Sequence, residues 1–233
     1  MFVGEYRFTD YYHKFVTIEA DELTANLHCR LKITEKDCYA LCSSYCDEDG
    51  FIRFNVLSIG DSWQHCTRGL KNKHMLGEFG IDEVYNKEMR IAETQYEMLQ
   101  KNQAFVEEKE KNVDEDVMKI RNDSRLDDIR DAYYPDIVYV GMIHDLSMYE
   151  YPMTVTGIKG PFLVGTLMEE PAQAMGVHEG EPVYVLPYMA EGIHLFALFG
   201  GSHLDDEQTK AMDRIIRETS EVGIDFNGIS LKN

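Results

Sequence analysis

The chain has 233 residues, 44% of them hydrophobic, which is enough to bury a substantial core in one large domain or two small ones. Its formal net charge of -19 disfavours binding to nucleic acids or anionic membranes through phosphate contacts, and favours a basic partner or simple solubility. No stretch reaches the roughly 18 apolar residues that span a bilayer, and no basic run with a long apolar stretch opens the chain. We therefore expect a cytoplasmic protein.

The first third, residues 1–81, predicts an α+β region. Alternating β-branched residues in 14–33 predict one or two strands, and residues 51–59 predict a half-buried strand. Between them, Thr34–Asp37 resembles a helix-capping box, so we expect a helix that carries Cys38, Cys42 and Cys46 on one face and ends near Asp47–Gly50.

The five cysteines are odd in number and lack the close pairs of a secreted disulfide framework, which suits a reducing compartment. No spacing matches the short Cys-x-x-Cys element of zinc sites. We interpret Cys38, Cys42 and Cys46 as core residues, and we expect neither a metal nor a cofactor.

Residues 82–131 predict a long helical middle. Apolar residues recur every seven positions from Tyr85 to Ile120, and Met89, Tyr96 and Val117 occupy a second position of the same repeat. Gln103 and Glu110 interrupt that second position. One long helix, covered by the body or by a second copy of the chain, is one interpretation, and a break near 112–114 with Asn112 as the cap is the other.

The last third, residues 132–233, predicts a strand-rich module. It carries 15 acidic and only 5 basic residues, against 12 and 9 in residues 1–81. Apolar runs bounded by Gly and Pro predict strands at 137–143, 153–158, 162–168, 182–188 and 193–199. Their spacing favours an antiparallel sheet or a small barrel, closed by a helix that Asp205 or Asp206 caps. Residues 224–231 predict an edge strand.

The fold class we predict is therefore α+β, with an N-terminal α+β region, a long helical middle and a C-terminal antiparallel sheet or small barrel closed by a helix. The three parts correspond to residues 1–81, 82–131 and 132–233.

Residues 125–199 resemble the YegJ-like bacterial domains of unknown function. The shared elements are a Gly-x-Leu-x-x-x-Pro segment, here 165–171, and a Gly-Glu step into a strand, here Gly180-Glu181. The chain departs from the pattern where many such domains have tryptophan, since it has Tyr151 and His194-Leu195-Phe196. Some relatives resemble immunity proteins that neutralise toxins, so the resemblance implies an inhibitor, and it supplies no catalytic residues.

No catalytic constellation stands out in the sequence. Two His-Cys pairs, His28-Cys29 and His65-Cys66, could meet in space and form a nucleophile or ligand site, which leaves an enzyme or small-ligand sensor as an alternative. Assembly into a homo-oligomer through the 85–120 helix is a second alternative.

The function we expect first is non-enzymatic binding of a basic protein surface, as an immunity-type or anti-defence inhibitor would do. Acidic side chains in the turns between the C-terminal strands can reach a partner while the sheet holds them in place. Between residues 132 and 203 only Lys159 is basic, against eight acids. The predicted partner-binding residues are Glu169, Glu170, Glu179, Glu181 and Glu191.

Overall fold

A computed structural model describes residues 1–20, 38–68, 76–92, 96–189 and 193–222. The chain divides into two compact units. The first comprises Met1–Val113 with Ala132–Pro135, and the second comprises Asp114–Asp131 with Asp136–Asn233.

The described part of the first unit is built on one antiparallel five-stranded sheet in the order β4-β3-β2-β1-β5. Its strands are β1 Phe15–Glu19, β2 Tyr39–Cys46, β3 Ile52–Gly60, β4 Gly77–Gly80 and β5 Met89–Ile91. Its helices are a 3-10 turn Val3–Glu5, α1 Phe8–Tyr11, α2 Trp63–Arg68, α3 Ile81–Val84 and α4 Tyr96–Glu110.

The helix that we predicted for the cysteines is instead the central strand β2. Residues four apart share one face of a strand as well as one side of a helix, so the spacing of Cys42 and Cys46 fits both structures. Both side chains are fully buried in one core cluster with Phe54 and Val56 of β3. Small Cys and Ser side chains suit this strand because it is covered on both faces, and residues 34–37, the predicted cap, lie outside the described residues.

The predicted strand at 51–59 corresponds to β3, with Ile52, Phe54 and Val56 buried. Asn55, on the other face of the strand, is also buried, so β3 is covered on both sides in this region and is not the half-buried strand that we predicted. Of the strands predicted within 14–33, β1 is present and residues 21–33 lie outside the described part.

The prediction of a long helical middle is wrong. Residues 82–131 contain α3, β5, α4, a short helix α5 Glu115–Arg121 and a 3-10 helix Ser124–Ile129. The break at 111–114 is real, but Asp114 rather than Asn112 caps α5, accepting from the Asp116 N–H at 2.8 Å. The seven-residue repeat therefore arises from separate elements. Of its members, Met89, Val106, Val117 and Ile120 are buried. Tyr85, Ala92 and Val113 are half-buried.

The second unit contains a closed barrel of five strands in the order β10-β6-β7-β8-β9. The strands are β6 Ile137–His144, β7 Ser147–Lys159, β8 Phe162–Leu167, β9 Pro182–Met189 and β10 Ile193–Gly200. All neighbours pair antiparallel except β10 and β6, which are parallel. Each strand predicted between 137 and 199 is present, and together they form a barrel, one of the two arrangements that the sequence left open.

Apolar side chains fill the barrel interior, as the alternation along each strand requires. They include Val138, Val140, Met153, Leu163, Val183, Val185 and Leu195. Gly165 on β8 is needed because a Cβ there would lie 2.5 Å from both Cγ of Met153 and the carbonyl oxygen of Thr154. The glycine of the Gly-x-Leu-x-x-x-Pro segment therefore has a packing role in this chain.

The last helix is α6 Asp206–Val222. Asp205 caps it as predicted, accepting from the Gln208 N–H at 2.7 Å while Gln208 accepts from the Asp205 N–H at 3.0 Å. Met212 is buried, and Ile216 faces Gly160 in the β7–β8 hairpin, where a Cβ would lie 3.0 Å from Cγ1 of Ile216. The edge strand predicted at 224–231 lies outside the described residues.

Candidate functional site: the acidic turn

Four of the five predicted partner-binding residues lie in the connection between β8 and β9, residues 168–181, which we name the acidic turn. Glu169, Glu170 and Glu179 are exposed and Glu181 is half-buried. Glu191 lies outside the described residues. The structure therefore places these four carboxylates in one connection, which begins where β8 ends and stops where β9 begins.

Glu170 holds the two halves of the acidic turn together. One carboxylate oxygen lies 2.7 Å from Nδ1 of His178, and the other accepts from the backbone N–H of Glu179 at 3.0 Å. This hydrogen bond to the imidazole raises the pKa of His178 and lowers the pKa of Glu170. Both groups are exposed, so the pair orders the turn more than it stabilises the whole fold.

Glu181 fastens the carboxyl end of the turn. Its carboxylate accepts from the backbone N–H of His178 at 2.9 Å and from the Ser202 hydroxyl, which follows β10, at 2.8 Å. The Ser202 bond is the largest cause of a lowered pKa for Glu181, and the His178 N–H bond adds to it. Two of the predicted binding acids, Glu170 and Glu181, thus form the framework of the turn.

The backbone of the acidic turn depends on glycine and on buried anchors. Gly176 and Gly180 have φ of +74° and +79°, in the left-handed region that glycine adopts most readily. Pro171 and Val177 are buried, and the Tyr151 hydroxyl donates to Oε1 of Gln173 at 3.0 Å. The turn is consequently a fixed structure and does not have to be ordered by a ligand.

The side chains of Glu169 and Glu179 take no part in the hydrogen bonds that hold the acidic turn, and they are exposed to solvent. Both residues are exposed, and in the described part of the chain neither carboxylate accepts a hydrogen bond or forms an ion pair. Two carboxylates held on a fixed turn can receive a lysine or arginine from a partner without first losing an internal contact.

The His-Cys pairs are not brought together by any described contact. His28 and Cys29 lie outside the described residues. His65 pairs through Nδ1 with the Asp61 carboxylate, and the pKa of Asp61 is lowered by that bond. Cys66 is buried, and its thiol donates to the Tyr39 carbonyl at 3.0 Å, so it is not exposed as a nucleophile.

Cys42 is equally unsuited to reactivity, because burial raises the pKa of its thiol. Among the residues that the structure describes, no group of three or more His, Cys, Asp or Glu side chains is placed to hold a metal ion.

One polar cluster in the first unit was not foreseen. The Glu110 carboxylate is buried and accepts from the Tyr12 hydroxyl at 3.2 Å and the Cys46 N–H at 3.1 Å, while Nε2 of His13 lies 2.8 Å from its other oxygen. Glu110 ends α4, so the cluster joins that helix to β2 and to the segment after α1. The sequence contained one signal of this cluster, which is that Glu110 occupies an apolar position of the seven-residue repeat. A charged residue at such a position is either exposed or fully hydrogen-bonded.

Comparison of the chain with protein-family models, with curated proteins and with solved structures finds no match. The resemblance to YegJ-like domains therefore stays a prediction. No helix in the described part of the chain is long and apolar enough to cross a membrane.

Proposed function

We propose that this chain is a non-enzymatic acidic binding protein that holds a basic protein partner through the acidic turn, as an immunity-type or anti-defence inhibitor would. The observation that carries the proposal is that Glu170 and Glu181 fix the turn while Glu169 and Glu179 remain exposed on it. A preformed acceptor loses little conformational freedom on binding.

The charge distribution supports the same proposal. Lys159 is the sole basic residue between 132 and 203, where eight acids lie, so the potential around this sequence region is poorly neutralised. Such a field accelerates the encounter with a basic partner and is screened over about 10 Å at 0.1 M salt. Association with the partner should therefore be fast at low salt and become slower as the salt concentration rises.

The two other expectations lack this support. Assembly through one long 85–120 helix depended on a helix that is replaced by several shorter elements. A site that uses His28 and Cys29 stays a prediction, because both residues lie outside the described part of the chain.

The experiment reverses the two exposed charges and leaves the framework intact. We expect Glu169→Lys with Glu179→Lys to slow association with an immobilised 18-residue Lys/Leu amphipathic peptide by about tenfold at low salt, measured by surface plasmon resonance. The matched control, Asp49→Lys with Asp213→Lys, changes the net charge equally at exposed positions elsewhere. Equal slowing by both double variants would mean that only the net charge matters, and would contradict the proposal.

A further inference from the structure

A second exposed surface of the barrel is apolar. Alternation along β6, β7, β9 and β10 places large hydrophobic side chains on the outside, where solubility does not require them. The most exposed are Ile143 at 69%, Tyr188 at 59% and Met148 at 53%. We name as the outer apolar face the residues Tyr139, Ile143, Met148, Tyr188 and Phe196.

Strand pairing makes this face continuous. Ile143 lies directly opposite Met148 in the β6–β7 register, and Phe196 bridges to Gly141 across the parallel β10–β6 contact. Gly141 has no side chain, and a Cβ there would lie 3.2 Å from Sδ of Met148 and 3.3 Å from Cδ1 of Phe196. Tyr188 then meets the Phe196 ring edge-on, with centroids 6.3 Å apart.

The tip of the β6–β7 hairpin extends the same surface. Asp145 and Leu146 both have positive φ, +47° and +65°, in a two-residue turn that usually has Asn-Gly or Asp-Gly. Leu146 is fully exposed, so burial of its side chain contributes nothing to the stability of the fold. Its backbone is also in the left-handed region, which residues other than glycine rarely adopt. A residue that is unfavourable in the free protein is a sign of a role in binding.

Acidic groups border the outer apolar face. Glu150 lies opposite Gly141 on β7 and is exposed, and Asp145 adjoins Leu146 at the tip, where its carboxylate lies 3.3 Å from Nε2 of His144. The nearest basic residue along β7 is Lys159, at the far end of that strand, where it lies over the Tyr184 ring. An apolar centre with an acidic border complements a segment that combines apolar and basic side chains.

We propose that the outer apolar face and Leu146 form the docking surface for a basic amphipathic helix of the partner. This inference rests on the proposed function and names the chemistry of its partner. The strands of the barrel close on themselves, so the surface offers side chains rather than a free strand edge, and a helix that lies across it matches this geometry. A second copy of the chain would bring two acidic borders together, and an anionic lipid surface would meet the same repulsion.

The test measures dissociation of the Lys/Leu amphipathic peptide from the full-length chain. We expect Leu146→Gly to dissociate about tenfold faster than the unmodified chain, because an anchor residue is lost, while its melting temperature stays equal or rises, because glycine suits the left-handed turn. Ile143→Ser with Met148→Ser should show the same faster dissociation. The matched control Ile91→Ser, an exposed isoleucine in the first unit, should leave dissociation unchanged.

Each outcome separates this inference from the proposed function. Unchanged dissociation for Leu146→Gly and for the Ile143/Met148 double variant would overturn the docking surface even if Glu169→Lys with Glu179→Lys still slows association. Faster dissociation with no effect of the Glu169/Glu179 reversal would retain the docking surface and reject the acidic turn. Equal binding of a Leu/Ser peptide without lysine, saturable binding to phosphatidylglycerol vesicles, or self-association that Ile143→Ser abolishes would each replace the basic helix with another occupant and overturn the proposal.

Discussion

At the scale of single residues, charged side chains have two separate roles in this chain. Some, such as Glu169 and Glu179, are exposed and account for the acidic surface. Others are buried and fix local structure through complete hydrogen bonding, as Glu110 does in the first unit. The acidic composition alone could not separate the two roles, because the sequence shows the charge of a residue and not its burial.

Arg121 and Asp136 form a buried ion pair in the second unit. Arg121 is fully buried, and its guanidinium donates to both Asp136 oxygens, from Nε at 2.9 Å and from Nη2 at 2.6 Å. Arg121→Ala should lower the free energy of unfolding by about 3–5 kcal/mol, because it leaves a buried carboxylate without its partner. Chemical denaturation measures the loss, and Arg214→Ala, which removes an exposed pair with Glu218, should leave the free energy of unfolding nearly unchanged.

The His178–Glu170 pair should make the order of the acidic turn depend on pH. Because Glu170 raises the pKa of His178, the contribution of the charged pair is fully present below the ordinary histidine value of about 6.5 and is lost as pH rises through the raised value. On the acid side it is lost as pH falls through the lowered pKa of Glu170. An NMR titration of the His178 ring should give a pKa above the ordinary value, and Glu170→Gln should return it toward that value. A His178 pKa that does not respond to Glu170→Gln would show that the contact is absent in solution.

At the scale of elements, local patterns identified the barrel strands and failed for the cysteine segment and the helical middle. An apolar run that is bounded by Gly and Pro is a local signal, and each barrel strand contains it independently of the others. Residues at i and i+4 share a face in both a helix and a strand, so Cys42 and Cys46 could not decide between the two. The order of the strands in the barrel, including the parallel contact of β10 with β6, depends on pairing between distant residues, which no local sequence pattern contains.

Two glycines of the β7–β8 pair give a matched test of the packing. Gly165→Ala should destabilise the second unit by about 1–3 kcal/mol, because the added carbon meets Met153 and the Thr154 carbonyl oxygen at 2.5 Å. Gly157, at the irregularity of β7, has open space where a Cβ would lie, so Gly157→Ala should change stability by less than about 1 kcal/mol. Thermal denaturation of both variants checks the difference, and equal effects would contradict the barrel register.

At the scale of the whole molecule, the net charge of -19 is compatible with both solubility and binding, and geometry supplies the distinction. Solubility depends on the net surface charge and sets no particular arrangement of the acids. In the acidic turn they are instead arranged by internal hydrogen bonds, and on the barrel an apolar face lies within an acidic border. These two features motivate binding. The sequence predicted acids in this turn, but not their internal hydrogen bonds and not the apolar face, since the outward direction of Ile143, Met148 and Tyr188 follows from strand register.

The most direct measurement of the central claim is an NMR titration of the uniformly ¹⁵N-labelled full-length chain with the Lys/Leu amphipathic peptide. We expect saturable changes in amide shifts within residues 168–181 and along the β6–β7 hairpin, weakened by salt, with few changes elsewhere. The acidic peptide of the same pattern, Glu/Leu, should produce none. Saturable changes centred in residues 1–113, or the same response to both peptides, would contradict the assignment of binding to the acidic turn and the barrel.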